Sequence, residues 1–168
     1  ASSPTHKSDL AVAGAVVIAW AISRAIEGHS WTAIVDSLPA VARQAQEKRI
    51  TTFSASLAAR LELALCVVRN AHGVESASEQ LYQLIGAGTS TIESVPCAIA
   101  MVELAQGDPN RGAVLCANLG GDTDTIGAMA TAICGALGGI SAINPSLKQQ
   151  LDDVNHLGQT AGMIHFGM

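Results

Sequence analysis

Apolar positions along this chain recur at helical spacing between short polar interruptions, and no run sustains the two-residue alternation of a strand. Leu57, Leu61, Ala64, Leu65 and Val68 mark one helix face within a segment running from about Ser54 to Ala71. Punctuation then places the other elements. A first helix, capped by Ser8 or Thr5, reaches about Glu27 and closes at Gly28. A second opens at Ser30-Trp31 and is interrupted at Pro39, whose missing N–H and ring break or kink it. Ser76 and Glu79 form a capping-box pair for a shorter helix ending at Gly86. Residues 86–94 are small and polar and read as a working loop, followed by a helix from Val95 to Gln106. Asp108-Pro109 starts the next, because proline suits a first helical position. Gly120-Gly121 separates it from a helix over Asp122–Leu137, and Asn144-Pro145 opens the last, to about His156. The pattern predicts an all-α chain of seven or eight helices joined by short loops.

Composition sharpens this picture. Of 168 residues, 49% are hydrophobic but only 3% aromatic and 14% charged, so alanine and aliphatic side chains must build the core. Mean hydropathy is +0.34, which leaves apolar surface suited to a partner. Net charge is −5, and the nine Lys and Arg are scattered, with only Lys48-Arg49 adjacent. A nucleic-acid binder needs a basic stripe against phosphates, so no nucleic-acid partner is expected. The thirteen-residue uncharged run Leu10–Ile22 is shorter than the roughly 20 residues that span a bilayer. It reads as a core helix rather than a membrane anchor. Cys66, Cys97, Cys116 and Cys134 have no metal-knuckle or redox spacing and sit among apolar neighbours, which points to reduced thiols and a cytoplasmic setting. Trp20 and Trp31 are assigned to packing.

One constellation is dense in chemistry: Gly120-Gly121-Asp122-Thr123-Asp124-Thr125 at the mouth of an apolar helix. Two readings stand on local physics. Gly120 can close one helix in a left-handed conformation while Asp122 caps the next, with acidic residues favoured by the helix dipole. Alternatively, two carboxylates and a hydroxyl form a hard-oxygen donor set suited to Mg²⁺. Glu93, in the polar loop, reads either as a general base or as a solvated carboxylate. Gly127, Thr131 and Gly135 make a small face for helix packing, and His29, His72, His156 and His165 share no face.

The stretch Asn118–Ala130, with Gly138-Gly139 behind it, closely resembles the C-terminal signature of the ADP-ribosylglycohydrolase family. Thr5-His6 before a small-residue helix and Gly107-Asp108-Pro109 are similar to further family elements. The resemblance implies a compact, orthogonal multi-helix bundle that hydrolyses the bond between an ADP-ribose unit and its acceptor. It further implies two Mg²⁺ ions, or Mn²⁺, with Asp122, Asp124 and Thr125 as ligands and His6, Gly120 and Gly121 lining the ADP-ribose pocket. The loop 88–94 would border an adenine or ribose subsite. The family's second ligand set, a Thr-Asp-Asp-Thr motif, is absent from this sequence. Residues 1–157 are therefore expected to be the C-terminal half of one such domain, with 158–168 a loose tail. On this reading the catalytic residues lie in the N-terminal half, the chain's partner, and the chain alone is inactive. Two alternatives remain at this stage: hydrolysis of another ribosyl small molecule or nucleoside, and a non-enzymatic relative resembling J1-crystallin.

Overall fold

A computed structural model describes residues 8–47, 53–156, 158–159 and 161–162. Among the described residues there is no strand, residues 158–159 and 161–162 are helical, and eight further α-helices and one short 3-10 turn are delimited. They are α1 (Asp9–Ile26), α2 (Trp31–Glu47), α3 (Leu57–Asn70), α4 (Val74–Leu84), α5 (Thr91–Ala105), α6 (Pro109–Leu119), α7 (Thr123–Gly138) and α8 (Pro145–Asn155). The all-α expectation holds.

α5 is the central post. Every residue from Ser94 to Val102 is buried, as is Ala105, so the helix has no solvent stripe over that span. A helix apolar all round belongs inside. α1, α3, α6 and α7 pack around it, and α2 closes against α1 and α3. Small side chains set the spacing. A Cβ on Gly14 would overlap the Thr91 methyl, so α1 and α5 approach closely there. α6 meets α7 with similar economy: a Cβ at Gly127 would lie 3.4 Å from Cys116 Cβ, and one at Gly112 would lie 3.4 Å from Cys134 Sγ. Gly127 therefore bears out the close-packing reading, whereas Gly135 faces open space.

Both tryptophans join packing to polar anchors. Trp20 Nε1 donates to Ser37 Oγ at 3.1 Å, tying α1 to α2, and Trp31 Nε1 donates to Glu103 Oε2 at 2.6 Å. Glu103 also accepts from Arg69 Nε at 2.7 Å, a bond that raises the guanidinium pKa further and links α2, α3 and α5.

Three local expectations need correction. α2 runs through Pro39 without a break, because Ile34, Val35, Leu38 and Ala42 keep their buried face on both sides of the lost N–H. α5 begins at Thr91 rather than Val95 and likewise continues through Pro96. α4 starts at Val74 behind Gly73, so Ser76 lies inside it and accepts from Gln80 Nε2 instead of capping. Tertiary burial outweighs one missing hydrogen bond in the first two cases. α1 is long and apolar enough to cross a membrane by length and composition. Here Val12, Ala13, Val17, Ala21 and Ala25 are buried in the bundle, while Val16 and Ile26 are exposed. Of the four cysteines, Cys97, Cys116 and Cys134 are buried; Cys66 is exposed, contrary to expectation. The tail at 158–168 falls largely outside the described residues.

Candidate functional site

The acidic turn between α6 and α7 is shaped by two left-handed glycines. Gly120 (φ +86°) ends α6 and Gly121 (φ +70°) reverses the chain, conformations that cost a side-chain-bearing residue strain. Gly121 is required twice over, since a Cβ there would run into the Ala87 carbonyl oxygen. That carbonyl accepts the Asp122 N–H at 2.7 Å, so the loop before α5 holds the turn by its backbone.

Asp122 occupies the N-cap position of α7, yet its carboxylate makes no capping bond to the helix. Its Oδ1 instead accepts from Thr125 Oγ1 at 3.0 Å. Asp124, one residue into α7, is held below the usual carboxylate range, first by a hydrogen bond with the Asp122 carboxyl and then by the N–H groups of Asp124 and Thr125. Three oxygen-bearing side chains thus meet at the exposed mouth of one helix, where the dipole favours negative charge. The simple cap reading of Asp122 does not survive this geometry. Hard, flexible oxygen donors close together fit Mg²⁺ or Mn²⁺. Among the described residues, no group of three or more His, Cys, Asp and Glu side chains could hold a metal ion. The turn offers two carboxylates and a hydroxyl, a partial set.

Thr125 also borders a groove of about 470 Å³ between α1, α5 and α7. Ala11, Gly14, Ile18 and Ile22 line it from α1, and Thr89, Thr91 and Ser94 line it from the start of α5 and the residues before it, with the Thr91 methyl turned to Gly14. The polar segment at 86–94 therefore does reach the acidic turn, although its last four residues belong to α5. A larger open depression of about 740 Å³ lies on the other side of Gly120, lined by Glu75, Glu79, Tyr82 and Asn118.

Of the residues singled out from sequence, Gly120, Gly121, Asp122, Asp124 and Thr125 come together; His6 lies outside the described residues. Glu93 is neither in a loop nor solvated on all sides. It sits in the first turn of α5, and its Oε2 accepts the Gly88 N–H at 2.8 Å. The role of the Ala87 carbonyl was invisible in sequence, because any residue supplies one; only the neighbouring Gly86 and Gly88 hinted at a close approach.

The chain is 83% identical over 157 residues to the protein YegU of Escherichia coli (strain K12), covering 94% of this chain and 47% of that protein. It is 28% identical over 177 residues to ADP-ribosylhydrolase ARH3 of Gallus gallus, covering 96% of this chain and 48% of that one. ADP-ribosylhydrolase ARH3 of Bos taurus matches at 33% over 97 residues, or 52% of this chain and 27% of that protein. The chain spans about half the length of the first two relatives. No solved structure matches it. The model of the ADP-ribosylglycohydrolase family matches residues 1–166, and the chain belongs to that family.

Proposed function

We propose that this chain supplies one of two oxygen ligand sets of a magnesium-dependent glycosidase acting on ADP-ribosylated protein or a related ADP-ribosyl compound. In the reaction, the bond from the anomeric carbon to the acceptor breaks and its electron pair leaves with the acceptor, which takes up a proton. Water adds its oxygen to the carbon, whose transition state resembles an oxocarbenium ion. The observation that carries the reading is the convergence of Asp122, Asp124 and Thr125 at one helix mouth, with the Asp122 carboxylate left free of any helix-capping bond.

A divalent cation, when bound, supplies positive charge that orients ribose hydroxyls and acidifies nearby water. Asp122 and Asp124 provide the countercharge, and Thr125 adds a neutral oxygen. Gly120 and Gly121 give the turn its tight course, with the Ala87 carbonyl packed against Gly121. The groove beside Thr125, lined by α1 residues and by Thr89 and Thr91, offers a largely apolar surface next to the acidic turn on which part of a substrate could rest. Because the donor set is partial, the second set is assigned to the N-terminal half of the family's domain, and the isolated chain is expected to be inactive.

In the full-length protein, Asp122→Ala and Asp124→Ala are expected to lower Mg²⁺-dependent release of ADP-ribose by about 100-fold or more, and turnover unchanged in both refutes the assignment. Mn²⁺ titration of the 168-residue chain should give weak binding that tightens when the N-terminal half is added. Tight binding of two ions by the chain alone excludes the shared-site reading.

A further inference from the structure

We propose that Glu93 is a positioning residue for the acidic turn, acting through the loop between α4 and α5. The cation-binding consequence rests on the ligand role proposed above for Asp122, Asp124 and Thr125. Two α5 side chains, one helical turn apart, grip this loop. Glu93 Oε2 accepts the Gly88 N–H at 2.8 Å, and the Cys97 thiol donates to the Gly86 carbonyl at 2.9 Å. Ala87 stands between the gripped residues, and its carbonyl accepts the Asp122 N–H at 2.7 Å.

The decisive feature is that the Ala87 carbonyl and the Gly88 N–H belong to one peptide group. That group is planar, and in the trans form its C=O and N–H point in opposite directions. Fixing one end therefore fixes the other. Glu93 holds the N–H end, and Asp122 is suspended from the C=O end. Ala87 has only a methyl side chain and cannot orient its own carbonyl by a polar contact, so the Glu93 carboxylate sets that direction.

The recess around Glu93 is built for this contact. A Cβ on Gly86 would lie 2.5 Å from Glu93 Oε2, and one on Gly88 would lie 2.8 Å from it. The carboxylate thus fills the space that two absent side chains leave. Ordinary helix capping does not explain the arrangement. Ser90 is the N-cap of α5, and Glu93 stands three residues on, where a capping box would turn its carboxylate back to the Ser90 N–H. Here it bypasses the cap and takes the Gly88 N–H two residues upstream.

The test compares Glu93→Gln, Glu93→Asp and Glu93→Ala in the full-length protein. Amide exchange at Gly88 and Asp122 is read by NMR, and Mn²⁺ affinity by calorimetry. Gln keeps an acceptor oxygen at the same reach and should leave both readouts within about threefold of wild type. Asp keeps the charge but falls one methylene short. Asp and Ala should speed exchange at both amides and weaken Mn²⁺ binding by about 10- to 100-fold, as loss of a group that orients a metal ligand does. Unchanged Asp122 exchange in Asp and Ala overturns the proposal, and so does damage by Gln as deep as by Ala. Should Ala fail to fold, the contrast between Gln and Asp decides in the same way. Absence of Mn²⁺ binding in the wild-type protein overturns the ligand assignment, while the exchange comparison still decides the role of Glu93.

Discussion

Replacing Gly121 by alanine tests how tightly the acidic turn is held, and Gly139 supplies the control. Both glycines have φ of +70°, so alanine meets backbone strain of about 1–3 kcal/mol at either position. Their surroundings differ. A Cβ at Gly139 finds nothing within 4 Å, whereas one at Gly121 runs into the Ala87 carbonyl oxygen and lies 3.0 Å from Ala87 Cβ. Backbone cannot swing aside as a flexible side chain can, and relief requires the Asp122 N–H to leave that carbonyl. The overlap should add about 1–3 kcal/mol, the usual cost of overpacking. At this chain length, Gly121→Ala should then melt roughly 2–12 °C below Gly139→Ala. Thermal and urea unfolding of the two variants measure the difference directly. Equal midpoints would refute the reasoning, since they would mean that the loop yields freely and does not hold the turn.

Two other predictions follow from the same packing. Burial pushes the thiols of Cys97, Cys116 and Cys134 up to about 12, 11 and 12, so in native protein at pH 8 a thiol reagent should modify Cys66 quickly and the other three only on unfolding. Rapid modification of a second cysteine would count against the core as described. At the start of α6, Asp108 accepts backbone N–H bonds from Asn110 at 2.8 Å and Arg111 at 3.0 Å, and the Arg111 bond does most to hold its carboxyl below the usual value of 3.8. A depressed folded pKa gives stability that is complete above the unfolded pKa and is lost as pH falls through the folded one. The gap in melting temperature between wild type and Asp108→Ala should therefore be full at neutral pH and shrink below about pH 4. A constant gap down to about pH 2 would contradict the capping role.

Periodicity and punctuation by themselves determined the all-α class, the order of the helices and most of their ends, because caps, glycines and apolar spacing are local properties of the chain. The Gly-Gly-Asp-Thr-Asp-Thr stretch also announced where oxygen donors gather, since all of them lie within six consecutive residues. Sequence could not separate a helix cap from a ligand set at Asp122, as both use the same residue at the same position. The fold turns its carboxylate to Thr125 and its N–H to Ala87, so no side-chain cap forms, and the ligand role stands as the proposal made above. Pro39 tells the same story. It removes one local hydrogen bond and reads as a break or kink, yet the buried face around it keeps the helix continuous. Glu93 makes the contrast plainest. Its charge and loop neighbourhood suggested solvent, whereas packing placed it between two glycines against a peptide group that reaches the acidic turn. That contact depends on where α5 and α7 meet in space, which no local property of the chain encodes.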